Sequence, residues 1–397
     1  MNVLIIGGGI AGPALGVALA RAGIRAHIVE SRPADQAVTG AFLALAPNGV
    51  NALETIGLPG LVAEAGGVPV PEIRFYNPTG REIGLLDAHR DTADYGAEPY
   101  LLKRGALCDA LLRAARRAGV GVTFGRRLTG LRETATGVVA SFDDASTVTA
   151  DAVLGCDGVR STVRRLALPG AREARYTGVL DCGGWTGTDL ADTGGQRMYW
   201  GHRAFFGYVA HAGTAYWFSN VAQAREPGRD DLDSDAWLMR VRTLHADDPD
   251  PVPRILATAS SVIGVWPICD LDDLPTWHTD RVCLLGDAAH AASPSAGQGA
   301  SLALEDAAVM ARCLRDVDDP AAAFATFSHL RKRRAEKVVA MGRRIGDRKI
   351  PSRGQAWVRD RFLPLFLRMG AGQAREQYRY RIDWDEPVRP VVAPAGR

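Results

Sequence analysis

Lysine is nearly missing from this chain. Four lysines (Lys103, Lys332, Lys337 and Lys349) stand among 47 basic residues, and arginine supplies the rest. That bias reflects a GC-rich coding sequence and says nothing about mechanism. A charge excess is missing too. The 47 basic and 45 acidic side chains leave +2, which gives no electrostatic reason to expect a nucleic-acid or membrane partner. The six cysteines, Cys108, Cys156, Cys182, Cys269, Cys283 and Cys313, include no CxxC pair and no histidine at zinc spacing. Reduced, buried thiols in a cytoplasmic protein are expected, and no metal site. No apolar stretch is long enough to span a bilayer. "MNVLIIGGGIAG" lacks a basic leading segment, and glycines interrupt its apolar run, so it does not read as a signal peptide. No internal repeat occurs. What is present is ordinary for a globular chain: 397 residues, 47% hydrophobic and 23% charged, enough for two or three domain-sized units or one intertwined pair.

The first elements are legible from punctuation. Asn2–Ile6 is a short apolar strand. Gly12–Arg21 is a small-residue helix with Pro13 suited to its first turn, and Gly23 stops it. Arg25–Glu30 is a second strand. A β-α-β run of about thirty residues has the length of one parallel unit. Asn48 has the character of an N-cap before "GVNALETI", which Gly57 ends. Ile73–Leu85 reads as a hairpin around "NPTG", Gly105–Ala118 as an amphipathic helix, and Gly121–Phe124, Gly137–Phe142 and Asp151–Gly155 as strands. From Ala171 to Ile268 aromatics and alternation dominate. "RMYWGHRAFFGYVAHAGTAYWFSN" predicts antiparallel strands with short turns. After Thr276 the α/β texture returns. Helices then fill the chain, broken near Pro351 and Pro364, before a Pro-rich tail, "EPVRPVVAPAGR", expected to be loose.

"IIGGGIAG" places Gly7-x-Gly9-x-x-Gly12 between a strand and a helix, with Ala11 inside the motif and Glu30 closing the next strand. Gly7 permits a tight turn, Gly9 lets a pyrophosphate approach the backbone, and Gly12 lets helix and strand pack closely. The helix start supplies N–H groups and partial positive charge to phosphates. Glu30 can accept hydrogen bonds from ribose hydroxyls and would repel a 2′-phosphate, which suits FAD or NAD better than NADP. A ligand-free Gly-rich turn would leave unexplained why the apolar run stops at an acid.

Two further stretches separate these cofactors. One is "LGCDGVRSTVRR" (Leu154–Arg165), containing Asp157-Gly158-Val159-Arg160-Ser161. The other is "RVCLLGDAAHAASPSAGQGASLALEDA" (Arg281–Ala307), with Gly286-Asp287 and then Pro294-Ser295-Ala296-Gly297-Gln298-Gly299. In this order, across about residues 1–345, the three motifs resemble those of the single-component (group A) FAD-dependent aromatic hydroxylases and monooxygenases with the para-hydroxybenzoate hydroxylase fold. The resemblance implies an α/β fold (α+β overall). A Rossmann-like FAD-binding domain over 1–70, 101–170 and 276–345 would be interrupted by an antiparallel β-sheet substrate domain over 71–100 and 171–275. C-terminal helices and a loose tail would occupy 346–397.

It also implies site residues. Asp287 would bind the ribityl or ribose region of FAD. The segment Pro294, Gly297, Gln298, Gly299 and Ala300 would wrap the flavin ring. Asp157 and Arg160 would shape the cleft and bear on NAD(P)H use. Arg104, in "LLKRGALCDAL", would contact the phosphates. Leu128 would lay backbone beside the adenine, and Arg32 follows Glu30 in the cofactor set. Ser301 departs from the family, where asparagine is common. The residues present resemble the shorter members, for which no long C-terminal thioredoxin-like domain is expected, and the W-x-W-x-I-P motif of flavin halogenases does not occur in them. The physics of the third motif agrees: reduced flavin is an anion near N1, and a helix start with close-approaching glycines offers it N–H groups and a positive dipole end.

The implied activity is monooxygenation. NADH or NADPH would reduce FAD, O2 would form a flavin C4a-hydroperoxide, and one oxygen atom would pass to a hydrophobic, aromatic or polyketide-like small molecule of secondary metabolism. The same machinery serves epoxidation, Baeyer-Villiger-type insertion or simple oxidation and reduction, and a non-catalytic FAD-binding redox sensor is a different class of reading. Such chemistry needs a dry pocket, for which Trp200, His202, Phe206, Tyr208, His211 and Trp217 are candidate walls. No general base is identifiable: His290, Pro294, Tyr208 and His202 are weak catalytic candidates against plain packing roles. The basic run Arg331–Lys349 reads as a solvated helix face rather than a nucleic-acid or lipid site. Oligomeric state is left open.

Overall fold

The computed structural model describes residues 1–35, 41–88, 92–228, 233–271, 273–346 and 375–391. The apolar strand Asn2–Ile6 lies centrally in a five-stranded parallel sheet of order Val282–Leu284, Ala152–Gly155, Asn2–Ile6, Arg25–Glu30, Gly121–Phe124. Val3 to Ile6 are all buried, as parallel strands covered on both faces require. The helices Ala11–Arg21, Arg104–Arg117 and Gly299–Asp316 pack around it. Their apolar residues join the strands in the largest hydrophobic core. This is the expected Rossmann-like domain.

A seven-stranded sheet carries the aromatic segment. Its order is Gly264–Asp270, Arg175–Gly187, Thr214–Ala222, Phe205–His211, Gly195–Trp200, Glu72–Tyr76, Glu82–Asp87. The antiparallel expectation holds except at one pair: Gly195–Trp200 runs parallel to Glu72–Tyr76. Tight turns dictate direction within each excursion of the chain, but these two strands come from separate excursions. Alternation gives the sheet two distinct faces. Leu180, Cys182, Phe206, Tyr208 and Trp217 form a core with Trp237, Leu238 and Val241 of the helix Ser234–Leu244 and Ile255 of Val252–Thr258. On the opposite face, Val209 and Tyr216 meet Phe42, Val68 and Leu101 of a small sheet built from Phe42–Leu45, Tyr100–Lys103 and Val68–Pro69. Leu45 and Leu102 of that small sheet belong to the core of the parallel domain. The small sheet therefore couples the two domains.

Three local expectations change. Asn48 is not an N-cap: the helix is Pro47–Thr55, its cap position is Ala46, and the Asn48 side chain is buried. The tail is not loose through residue 391. Arg315 donates to the Trp384 carbonyl, Val388 N–H to Asp316 and Val391 N–H to Thr326, and Ile382 and Val388 enter the main core. Its prolines break helix but leave the apolar side chains free to pack. The basic run is not simply a solvated face either: Arg331, in the helix Pro320–Gly346, is fully buried, because two acidic side chains meet it inside. The expected breaks at Pro351 and Pro364, with Lys349 and the last residues of the tail, lie outside the described residues.

Candidate functional site

The first motif forms a close-packed turn. Gly7 has φ +113° and donates its N–H to Val29 O at 2.8 Å. A Cβ on Gly7 would lie 2.3 Å from Cys156 O, and one on Gly12 would lie 1.9 Å from Gly7 O. Gly9 differs: a Cβ there would meet nothing within 4 Å. The first and third glycines thus serve chain packing, and the middle one faces open space at the start of the helix Ala11–Arg21. Glu30 is buried and accepts from Gly8 N–H (2.7 Å), Arg32 N–H (2.9 Å) and Arg32 Nε (3.1 Å). Burial pushes its carboxyl up. The backbone donors of Arg32 and Gly8 and the Arg32 guanidinium outweigh burial and hold it below its ordinary value. Leu128 begins a strand just beyond the segment in which Gly125 N–H donates to Arg32 O and Arg126 N–H to Glu30 O, so it lies close to Glu30 and Arg32.

The three motifs meet. Cys156 and Asp157 of the second abut Gly7 of the first, and a Cβ on Gly286 of the third would touch Ala11 and Ala303 at 3.5 and 3.3 Å. After the strand Val282–Leu284, Gly286 (φ 57°) turns the chain so that Asp287 begins a one-turn helix. Asp287 faces the solvent of the cleft yet lies deep in the protein. That enclosure pushes its carboxyl up, against the pull of His290 and Arg104. Its Oδ1 would be 3.9 Å from a Cβ on Gly299. Arg104 opens the helix Arg104–Arg117. It sits within electrostatic reach of Asp287 and, with Arg32 and Glu30, of Cys108. Glu30, Arg104 and Asp287 therefore belong to one place.

Pro294 starts a single 3-10 turn, Pro294–Ala296, capped by Ser293. Gly297 follows in the left-handed region at φ 61° with open space at its Cβ position, and the helix begins at Gly299, followed by Ala300. Gln298 points inward. Its side chain is buried against Asn48, whose Nδ2 donates to Gln298 Oε1 at 2.9 Å. Ser301 is also buried, accepting from Ala46 N–H at 3.2 Å, and Gly49 lies so close that a Cβ there would be 2.6 Å from Ser301 Oγ.

The remaining candidates contact other parts of the protein. Asp157 caps the helix Thr162–Ala167, accepting from Ser161 Oγ (2.5 Å), Thr162 N–H (2.7 Å) and Val163 N–H (3.0 Å). Arg160 is exposed and pairs with Glu226. His290 Nε2 is 2.6 Å from Asp306 Oδ2, under the Trp277 ring. Burial would raise the Asp306 carboxyl, but His290, Arg331 and the Gly286 N–H hold it at about 2. Tyr208 is corrected as a cleft residue: it is buried on the helix-covered face beside Tyr199, with Phe206 and Trp217. His202 and His211 are corrected too. His202 sits in an exposed turn, and His211 pairs with Asp192 at the surface. Trp200 lies on the opposite face, packed with Phe75 and Phe205.

Where the opposite face meets the small sheet, the aromatics that sequence reasoning did not single out are Phe42, Trp185, Tyr216 and Phe218. Phe42 makes edge contacts with Tyr216 and Phe218 at 6.2 and 6.1 Å. Lys103 lies 4.5 Å from the Trp185 ring centre and 5.8 Å from that of Tyr216. Strand alternation could have separated Tyr216 and Phe218 from Trp217, but nothing in the sequence labels which face meets the cofactor domain. A cavity of about 370 Å³ opens beside the third motif, lined by Thr177, Val179, Ile268, Ser293, Ser295 and Arg343 among others.

The residues present fit a dinucleotide: an open glycine at a helix start, a fixed acid at the second strand, a carboxylate at the third, and a left-handed glycine leading into another helix. Comparison with known proteins agrees. The family described as FAD binding domain matches residues 1–341. Aurachin C monooxygenase/isomerase of Stigmatella aurantiaca is 35% identical over 378 residues, covering 92% of this chain and 94% of that protein. FAD-dependent urate hydroxylase of Mycolicibacterium vanbaalenii is 31% identical over 369 residues, covering 87% and 88%. The crystal structure of Klebsiella pneumoniae HpxO with FAD and uric acid superposes with TM-score 0.81 at 25% identity, covering 96% of this chain and 92% of that one.

Proposed function

This chain belongs to the FAD binding domain family of group A aromatic hydroxylases and is an FAD-dependent oxygenating enzyme, and on that footing we propose that it uses NADH or NADPH and O2 to hydroxylate a small hydrophobic ring compound, aromatic or polyketide-like, in secondary metabolism. The bound flavin supplies the redox and oxygen chemistry. The contribution of the chain is to bind, orient and keep water out.

In this reading Gly9 and the helix start at Ala11 receive the pyrophosphate, with Gly7 and Gly12 making the turn that presents them. Glu30 takes a ribose hydroxyl: its Oε2 accepts from Gly8 N–H and, as a carboxylate oxygen, keeps further acceptor capacity. Arg32 orients Glu30, and Leu128 lays backbone beside the adenine. Arg104 neutralises phosphate charge, and Asp287 takes a ribityl hydroxyl. The backbone from Pro294 through Ala300 would hold the ring, and the Gln298 and Gly299 N–H groups would stabilise the negative charge it gains on reduction, the Gly297 N–H being already given to the Pro294 carbonyl. Gln298 contributes backbone rather than side chain. We assign Asp157 and Arg160 to shaping the cleft wall rather than touching the flavin. His290 acts through Asp306 as a packing residue, and no side chain is assigned as general base.

The observation that carries the proposal is the meeting of Gly7, Cys156, Ala11 and Gly286 at one point, which brings three sequence-distant motifs to one cleft. The substrate is assigned to the cleft between those motifs and the aromatic face of Phe42, Tyr216 and Phe218. The cavity beside Ser293 and Ser295 has a size suited to a small molecule and is its assigned approach. Hydroxylation is preferred over the other oxygen transfers because the urate hydroxylase relative is named for that reaction. The free thiols of Cys108, Cys156 and Cys283 support a cytoplasmic setting.

The test is direct. Purified protein should be yellow, should consume NADH or NADPH rapidly only when a substrate from a panel of phenols and fused aromatics is added, and should place one atom of 18O2 in the product. A yellow protein inert to both nucleotides would favour a flavin sensor. A colourless protein that takes up NAD would end the flavin reading.

A further inference from the structure

The first turn of the helix Pro47–Thr55 is fastened to one face of the helix that starts at Gly299. Asn48 Nδ2 donates to Gln298 Oε1 at 2.9 Å and to Glu305 Oε1 at 2.6 Å, and Ala46 N–H donates to Ser301 Oγ at 3.2 Å. Positions 298, 301 and 305 recur at helical spacing and so face one side. Glu305 is fixed in turn by Arg331 at 2.7 Å and Arg334 at 2.8 Å. Asn48, Gln298 and Glu305 are all buried. Asn48 does not cap its own helix, so the side chain serves the contact between helices.

Gln298 stands between the two glycines of the third motif. Gly297 before it is in the left-handed region with nothing near its Cβ position. Gln298 Nε2 has no partner among the described residues, and its side-chain oxygen is held by Asn48. The side chain is thus anchored from inside through one hydrogen bond. N–H groups that stabilise developing negative charge work by being held in place beforehand.

We propose that Asn48 is a positioning residue for the flavin. Through Gln298 and Glu305 it fixes where the Gln298 and Gly299 N–H groups lie, the Gly297 N–H being held by the Pro294 carbonyl at 2.9 Å, and so sets how much more tightly the site binds reduced than oxidised FAD. The inference rests on the proposed placement of the flavin ring along this segment. Asn48 touches no reacting atom in this account. Its effect is read in the cofactor's potential rather than in turnover alone.

The experiment uses the holoprotein and compares wild type with Asn48→Ala for FAD affinity, midpoint potential, and H2O2 released per NAD(P)H consumed. Asn48→Ala should lose about tenfold of the preference for reduced FAD, a shift of ~30 mV to more negative potential for a two-electron couple, and should release more H2O2. The double exchange Asn48→Asp with Glu305→Gln keeps a donor and an acceptor facing each other and lets Gln298 Nε2 donate to position 48. It should restore the potential. An Asn48→Ala holoprotein with the wild-type potential overturns the inference and leaves the flavin site intact, whereas a wild-type protein that binds no FAD overturns both. If Asn48→Ala does not fold, Asn48→Ser, which shortens the side chain without adding charge, is measured in its place with the same two outcomes. A double exchange that folds but keeps the shifted potential also counts against the inference.

Discussion

Arg331 and Asp306 form an ion pair in which both side chains are fully buried, with Nε 2.7 Å from Oδ1. The same guanidinium reaches Glu305 at 2.7 Å, and the other oxygen of Asp306 accepts from Gly286 N–H at 2.9 Å and lies 2.6 Å from His290 Nε2. One arginine of the helix Pro320–Gly346 therefore bridges two acids behind the proposed flavin segment, with Arg334 also on Glu305, and one of those acids holds the turn that presents Asp287. A buried pair need not be more stabilising than apolar packing, but removing one partner strands the other charge.

Arg331→Ala should accordingly destabilise the protein by about 3–5 kcal/mol, more than an ordinary substitution on a basic helix face. Urea unfolding followed by tryptophan fluorescence measures it. A loss within the small range of surface substitutions would show that the network is not structural.

Acid should act on the same pair. A carboxyl whose folded pKa is depressed stabilises the fold above its unfolded value and loses that contribution as pH falls toward the folded value. Asp306 moves from 3.8 to about 2, so ~2 kcal/mol should be present above about pH 4 and lost progressively toward pH 2. In Asp306→Asn this component of the acid slope should vanish. Unfolding free energies at several pH values, for both proteins, check it.

The glycines of the first motif should separate by function. Gly12→Ala places a Cβ 1.9 Å from Gly7 O and should lower the melting temperature strongly even without cofactor. Gly9→Ala meets nothing within 4 Å and should leave the apoprotein as stable as wild type while weakening FAD at least about tenfold, because close approach of the pyrophosphate is lost. Melting curves of apoprotein and a fluorescence titration with FAD distinguish the two. Equal effects of both substitutions on the apoprotein would contradict the assignment of Gly9 to ligand space.

Asp287→Ala should lower FAD affinity by about tenfold, in the range of one charge-assisted hydrogen bond of roughly 1.5 kcal/mol. Retention of FAD through gel filtration, followed by titration, reads this. Unchanged occupancy would remove Asp287 from the cofactor site.

The two faces of the sheet predict different kinetics. Phe218→Ala and Tyr216→Ala should raise KM for the substrate severalfold with FAD binding intact. Tyr208→Phe, on the helix-covered face, should leave both kcat and KM near wild type. Steady-state kinetics with the substrate found in the panel decide, and a Tyr208→Phe enzyme that has lost turnover would return Tyr208 to the catalytic candidates.

Local chemistry in the sequence determined a good deal by itself. The Gly7–Gly12 turn needs particular backbone freedom, the continuous apolar run Val3–Ile6 needs cover on both faces, and the order of the three motifs identifies a flavin-binding domain interrupted by a β-rich insertion. These are properties of short stretches, so a short stretch records them. Tertiary structure alone decided which side of each aromatic strand meets the cofactor domain, because an alternating strand is equally regular whichever face is turned inward. It also decided that Arg331 is a buried counter-ion rather than a solvated one, that Asn48 braces Gln298 instead of capping a helix, and that residues 375–391 pack down. Each of these depends on a partner far away in the chain, and the pairing of distant side chains leaves no mark on the spacing of either one.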